Sequence, residues 1–229
     1  LYGATAVTHD AITGAPDSHA RAWAGIRRLQ AAGVRVALKT VLMKDNCGER
    51  AELERQAAAS GATFRHDAAI FPCLEDGSRA PLALRVSPVE AVRADLATPE
   101  RRRMWREKIE KTAAHPAGDQ LYACAAGRTS FHCDPFGTLT PCLLATSYAC
   151  AAVGRPFREV WANDLADIRR RTRTQTDGSL FGERRGACVH CPAFNRLETG
   201  DEERESDYMR QTTELRYAAA LDRRNGETP

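Results

Sequence analysis

Four of the eight cysteines in this sequence are spaced as metal ligands usually are. The segment CAAGRTSFHCDPFGTLTPC runs from Cys124 to Cys142, and the later segment CVHC contains Cys188 and Cys191. Thiolates paired in this way converge on one tetrahedral Zn²⁺ or on one iron–sulfur cluster, because a CxxC loop presents two sulfurs to the same centre. The spacing therefore predicts a metal centre held by these four thiols, and it does not choose between zinc and iron.

Two helix-then-strand units precede these cysteines. Apolar residues at helical spacing predict a helix that begins near Pro16 and ends at Gly33, and the run VRVALKTVL predicts a strand over 34–42. The pattern returns as a helix over 49–59 and an extended segment over 62–70. Parallel strands joined by helical crossovers are the usual result, so we predict part of an open α/β sheet or barrel. The opening segment LYGATAVTHDAITG is predicted to be the end of a strand followed by a loop.

The second half of the sequence predicts a smaller unit of helices with a β-hairpin. Two helices split near Pro99 lead to a connector, AAHPAGD. Beyond it, the turn DPFG between β-branched and aromatic residues predicts the hairpin, and helices are predicted over 157–172 and after Ser206.

The predicted hairpin excludes one nearby cysteine from the ligand set. In a four-residue turn Cys133 pairs with Thr138, and Cys142 lies opposite Thr129. At about 3.4 Å per residue the sulfurs of Cys133 and Cys142 are then about 14 Å apart, too far to share one cluster unless the hairpin is broken or its register differs. We therefore expect Cys133 to be dispensable for metal binding.

Composition narrows the class of protein. The 229 residues are 43% hydrophobic and 28% charged, which suits one sizeable core or two small ones. The net charge is +3, with 33 basic residues interspersed among 30 acidic ones, which argues against nucleic-acid and membrane-surface partners. No apolar run is long enough to span a membrane. Uneven cysteine spacing with a CxxC favours metal binding over disulfides, so we expect a reducing, cytoplasmic location.

The order of these parts resembles the C-terminal portion of radical S-adenosylmethionine enzymes that carry a SPASM or twitch extension. The most specific match is Cys124, twelve residues, Gly137, four residues and Cys142, followed after a gap by Cys188 and Cys191. The segments RRLQAAGVRVALKTVLMKDN, GATFRHDAAIFPCLEDG, FREVW and CVHCPAFNRLETGDEE extend the resemblance over nearly the whole chain.

The resemblance implies an α/β fold in three parts. Residues 1–86 are expected to form the C-terminal half of a partial (β/α)6 barrel, 87–120 a helical linker, and 121–229 a small α+β iron–sulfur domain. Such enzymes bind S-adenosylmethionine at a [4Fe–4S] cluster held by CxxxCxxC, and this sequence contains no CxxxCxxC. We therefore expect a fragment of a longer parent enzyme, in which that cluster and S-adenosylmethionine belong to the part before residue 1. This chain is expected to hold one auxiliary [4Fe–4S] cluster on the four cysteines.

Charged residues on the predicted strands are candidate cofactor contacts. A charged side chain inside a barrel is costly unless it meets a ligand, so Lys39 and Asp67 are candidates to bind the cofactor carboxylate or ribose. The alternative is that they lie at strand ends in water or pair with each other. Asn46 follows a strand at a position that such enzymes often place near the active site, and capping of the next helix explains it equally well.

Three functions are consistent with these features. The resemblance implies a radical enzyme whose parent modifies a peptide or another small substrate and takes electrons from a donor partner. Four thiolate ligands leave no iron open, so the auxiliary cluster is expected to relay electrons, inside an apolar shell of Phe131, Phe136 and Trp161. A structural zinc site in a non-catalytic interaction protein is the first alternative, and a degenerate remnant without function is the second.

Overall fold

The structure is a computed structural model that describes residues 1–115, 118–175, 183–188 and 191–222. The chain is a mixed α/β protein that divides into two compact units. The first unit comprises Leu1–Phe71 and Arg79–Asp95, and the second comprises Pro72–Ser78 and Leu96–Pro229. Across the described part of the chain, every helix is too short or too polar to cross a lipid bilayer.

The first unit contains the predicted helix-then-strand repetition. Its elements in chain order are α1 (Ala6–Thr13), α2 (Ser18–Ala31), β1 (Ala37–Val41), α3 (Arg50–Ala59), β2 (Thr63–Asp67) and α4 (Pro88–Asp95). Strands β1 and β2 are parallel, with Ala37 opposite Thr63 and Val41 opposite Asp67, and α3 forms the crossover. The predicted parallel pairing is confirmed. Within the described residues the parallel sheet has two strands and does not close into a barrel.

Most of the opening segment forms helix α1 (Ala6–Thr13), so the prediction of a loop there was wrong. The side chain of Thr5 accepts a hydrogen bond from the Thr8 N–H and caps α1, which ends at Gly14 with φ +64°. The carboxylate of Glu49 accepts from the Ala4 N–H at 2.6 Å and from the Thr5 N–H at 3.3 Å. A capped helix start held by a distant carboxylate thus replaces the extended conformation that the local sequence favours.

The second unit combines helices with a small antiparallel sheet. Its elements are α5 (Pro99–Ala113), β3 (His132–Cys133), β4 (Thr138–Thr140), β5 (Cys150–Ala151), α6 (Phe157–Ala162), α7 (Ala166–Arg170), α8 (Pro192–Thr199) and α9 (Asp207–Leu221). The predicted break near Pro99 and the predicted helix after Ser206 are confirmed. The helix predicted over 157–172 is instead two short helices, α6 and α7. Helix α5 packs within this unit against α9.

The predicted hairpin is present, but its register is shifted by one residue. Cys133 pairs with Leu139, not with Thr138. The Asp134 N–H donates to the Thr138 carbonyl at 3.0 Å, so these two residues face each other, and the Asp134 side chain also accepts the Thr138 N–H at 2.8 Å. A three-residue loop over 135–137, with Gly137 at φ +81°, therefore replaces the expected four-residue turn.

Candidate metal centre

Two of the four predicted ligands pack against one apolar cluster of the second unit, and a third, the exposed Cys124, lies near one of them. The cluster consists of Leu121, Tyr122, Ala126, Ala145, Ile168 and Ala193. Cys142 and Cys191 pack against it, and Cys124 lies in the chain between its members Tyr122 and Ala126. The Cys142 and Cys124 thiols are both close enough to Cys191 to affect its ionisation. The fold thus gathers sulfurs from three separate segments of the chain.

Backbone contacts hold the Cys124 segment against the Cys142 segment. The Gly127 N–H donates to the Pro141 carbonyl at 3.2 Å, next to Cys142. Gly127 has φ +64°, and a Cβ there would lie 2.7 Å from the Ile168 side chain, so this close approach requires glycine. The Thr140 hydroxyl donates to the Cys142 carbonyl at 2.9 Å and fixes the turn in which this cysteine lies.

Cys191 lies at the start of a helix, where its sulfur accepts hydrogen bonds. It is the N-cap of α8, and the Phe194 N–H donates to its Sγ at 3.4 Å. Burial raises the pKa of Cys191 to about 11, and the Cys142 and Cys124 thiols add to this rise, whereas the Phe194 N–H opposes it. The helix N-terminus favours a thiolate, but burial keeps the proton on at neutral pH unless a metal cation replaces it. This donor set fits a thiolate-bound metal.

Cys188 has different neighbours. It is buried, and its Sγ lies 3.8 Å from the Glu205 Oε1 atom. Burial raises the pKa of Cys188 to about 11, and Glu205 contributes to the rise, whereas Thr213 and Arg216 lower it. The two residues between Cys188 and Cys191 lie outside the described residues.

The remaining cysteines are also free thiols. All eight cysteines lack a disulfide partner, and Cys133 is exposed, with its Sγ 3.5 Å from the Asp134 carbonyl. Among the described residues, no group of three or more Cys, His, Asp or Glu side chains has metal-ligand geometry as it stands. The four-cysteine ligand set therefore stays a prediction, supported by the convergence of three of its members.

A buried carboxylate that the sequence did not predict lies beside the apolar cluster. The Glu202 side chain is 7% exposed and accepts hydrogen bonds from the hydroxyls of Tyr122 at 3.0 Å and Tyr148 at 2.9 Å. Burial and Glu202 together raise the pKa of Tyr122 far above its usual range and that of Tyr148 to about 12. Glu202 stands in the acidic run GDEERE, which on its own indicates a solvated surface, so the sequence carried no signal for it.

One of the three aromatic residues expected around the thiols is exposed. Phe136 is 84% exposed at the hairpin tip, so the prediction was wrong for this residue. Phe131 stacks on Phe157 and Trp161, with ring centroids 5.0 and 6.0 Å apart. The partly buried residues that pack with Cys142 and Cys191 against the apolar cluster are Leu144 and Tyr148.

In the first unit, the two candidate cofactor contacts pair with each other. Lys39 Nζ lies 3.5 Å from Asp67 Oδ2, and the two side chains are 47% and 45% exposed. This ion pair is the alternative given above to cofactor binding. An exposed pair of this kind contributes about 1 kcal/mol or less to stability.

Asn46 has a structural role in the loop after β1. It is fully buried, its Oδ1 accepts the Met43 N–H at 2.8 Å, and its Nδ2 donates to the carbonyls of Tyr2 and Val41 at 2.8 and 3.0 Å. Its side chain does not cap the following helix. These contacts fasten the first residues of the chain to the end of β1.

Comparisons of the chain with protein-family models, with curated proteins and with solved structures gave no significant match. The chemistry of the site therefore has to be inferred from the side chains that the fold brings together.

Proposed function

We propose that the second unit binds one [4Fe–4S] cluster through Cys124, Cys142, Cys188 and Cys191, as the auxiliary-cluster portion of a radical S-adenosylmethionine enzyme. The observation that carries the proposal is that Cys142 and Cys191 pack against one apolar cluster, with Cys124 close enough to Cys191 to affect its ionisation. When bound, such a cluster supplies one-electron transfer. In the same proposal, the parallel β1–α3–β2 unit is part of the enzyme's (β/α)6 barrel.

The surroundings of the thiols support iron–sulfur binding. The N–H groups of Ala193 and Phe194 point at the Cys191 sulfur, and hydrogen bonds to sulfur are one means by which proteins adjust the potential of such clusters. The aliphatic side chains of Leu121 and Ile168 keep water from one side of the site. Four thiolates leave no open iron, so the role we propose is electron relay during modification of a peptide or another small substrate.

Lys39 and Asp67 are not part of this proposal, because each already pairs with the other. Only the resemblance in sequence supports the proposed substrate class and the need for an electron donor.

Anaerobic reconstitution with iron and sulfide tests the proposal. We expect about four irons and a matching amount of labile sulfide per chain, with the brown absorbance of an iron–sulfur cluster. Serine variants of Cys124, Cys142, Cys188 and Cys191, made one at a time, should each lose iron and colour. Cys133→Ser is the matched control, because this exposed cysteine lies between two candidate ligands in the sequence. This variant should keep both its iron and its colour.

Three outcomes would contradict the proposal. A colourless protein with one zinc and no sulfide would indicate the structural zinc site instead. Full iron content in all four serine variants would exclude these cysteines as ligands. Loss of iron in Cys133→Ser with retention in Cys142→Ser would mean that the ligand set is wrong.

A further inference from the structure

Helix α9 buries a cationic side chain next to a candidate ligand. The buried residues of this helix are Met209, Thr212, Thr213, Arg216 and Ala220. Arg216 is only 6% exposed. A guanidinium at this position places a fixed positive charge in the interior of the second unit.

Two contacts fix the position of the Arg216 charge. Its Nη1 donates to the Ala187 carbonyl at 2.7 Å, and its guanidinium lies over the Trp105 ring of α5, 4.5 Å from the centroid. Ala187 directly precedes Cys188, so the hydrogen bond places the charge beside this cysteine.

A carboxylate also lies beside the Cys188 sulfur. The Glu205 Oε1 atom is 3.8 Å from the Cys188 Sγ atom. Arg173 is a second cation close enough to interact with Cys188. Arg216 and Glu205 therefore place charges of opposite sign beside this cysteine, in addition to that of Arg173.

We propose that Arg216 is a positioning residue of the metal centre. By holding a buried positive charge beside Cys188, it raises the midpoint potential of the iron–sulfur cluster; this rests on the proposed function. A one-electron donor of low potential adds one negative charge to the cluster on reduction. In a buried site a fixed cation stabilises that added charge more than water-screened charges do, and so favours the reduced state. Glu205 acts in the opposite direction.

The test is an EPR-monitored redox titration of reconstituted protein, with dithionite as the electron donor. Arg216→Gln removes the charge and keeps a donor for the Ala187 carbonyl, so its midpoint potential should be more negative than that of the wild type. Arg216→Lys keeps the charge and should shift less. Arg210→Gln is the matched control, because Arg210 lies on the exposed face of the same helix, where it pairs with Asp207. It should leave the potential unchanged.

Glu205→Gln gives a second measurement with the opposite sign. It removes the negative charge at Cys188, so the potential should become more positive. If Arg216→Gln fails to fold, the direction of the Glu205→Gln shift decides alone. Iron content is measured first: a wild type without iron refutes the proposed function, whereas full iron with unchanged potentials in both variants refutes only the role of Arg216.

Discussion

Replacing Glu202 by glutamine should destabilise the second unit, because this buried carboxylate holds two tyrosines in place. It is 7% exposed and accepts the Tyr122 hydroxyl at 3.0 Å and the Tyr148 hydroxyl at 2.9 Å. The two rings also meet edge to face, with centroids 5.8 Å apart. Removing the charge therefore weakens a network that joins three segments of the chain beside the candidate ligands.

The expected size follows from these contacts. A hydrogen bond to a buried charged group contributes about 1.5 to 3 kcal/mol. The two hydroxyls bond different carboxylate oxygens, and glutamine replaces one of these oxygens by an NH2 group that cannot accept, so Glu202→Gln should lower the free energy of unfolding by about 2 kcal/mol. Tyr122→Phe removes one donor and should cost about the same. In the double variant the glutamine oxygen can turn to Tyr148, so the loss should be about 1 to 2 kcal/mol less than the sum of the single losses.

Urea unfolding followed by tryptophan fluorescence measures these differences. A Trp23→Phe background leaves Trp105 and Trp161 as the only tryptophans, both in the second unit. Tyr217→Phe is the matched control, since this exposed hydroxyl donates to Glu183 at 2.9 Å, and its loss should change stability by about 0.5 kcal/mol or less. Equal effects of Tyr122→Phe and Tyr217→Phe, or full additivity in the double variant, would refute the argument.

Two further predictions follow from the backbone and from the hairpin turn. A Cβ at Gly186 would lie 2.4 Å from the Ile109 Cα in α5, so Gly186→Ala should lower the free energy of unfolding by about 1 to 3 kcal/mol. Gly25 lies in open space within α2, so Gly25→Ala should raise it by about 0.5 to 1 kcal/mol. Equal unfolding midpoints for the two variants would contradict both expectations. Hydrogen bonds from backbone N–H groups, the Thr138 N–H foremost, lower the pKa of Asp134, so its stabilisation is present above about pH 4 and is lost as the pH falls below that value. Asp134→Asn should lose less stability in acid than the wild type, as thermal unfolding between neutral pH and pH 3 would show, and a parallel decline would count against this.

Local signals explain which parts of the fold the sequence predicted. Gly33 and Gly61 both adopt positive φ after α2 and α3, so the ends of these helices and the strands after them could be located from short segments. The opening helix α1 was missed because its stabilising partner, Glu49, lies far along the chain. The turn of the hairpin was found because DPFG is a local signal. Its register was not, because it depends on which N–H the Asp134 side chain accepts.

The candidate site was predictable only in its thiols. Cysteines are rare and their spacing is informative, so four candidate ligands were evident, two of which pack against one apolar cluster. The charged residues around them were not evident. Glu202 stands in the charge-rich run GDEERE, and Arg216 is one of several charged residues along α9, so only packing shows which of these side chains is buried.

Helix α8 explains how a candidate ligand and a buried charge come to lie at one site. Cys191 caps its first turn, and Gly200, with φ +83°, ends it, so the chain reverses at once. Asn195, buried within the helix, donates to the Glu202 carbonyl at 3.4 Å and draws the acidic loop back along α8. Glu202 thereby reaches the hydroxyl of Tyr122, whose ring belongs to the apolar cluster against which Cys191 packs. Because Cys191 caps α8 and the loop that carries Glu202 is bonded to Asn195 of the same helix, a displacement of α8 moves the sulfur and the carboxylate together.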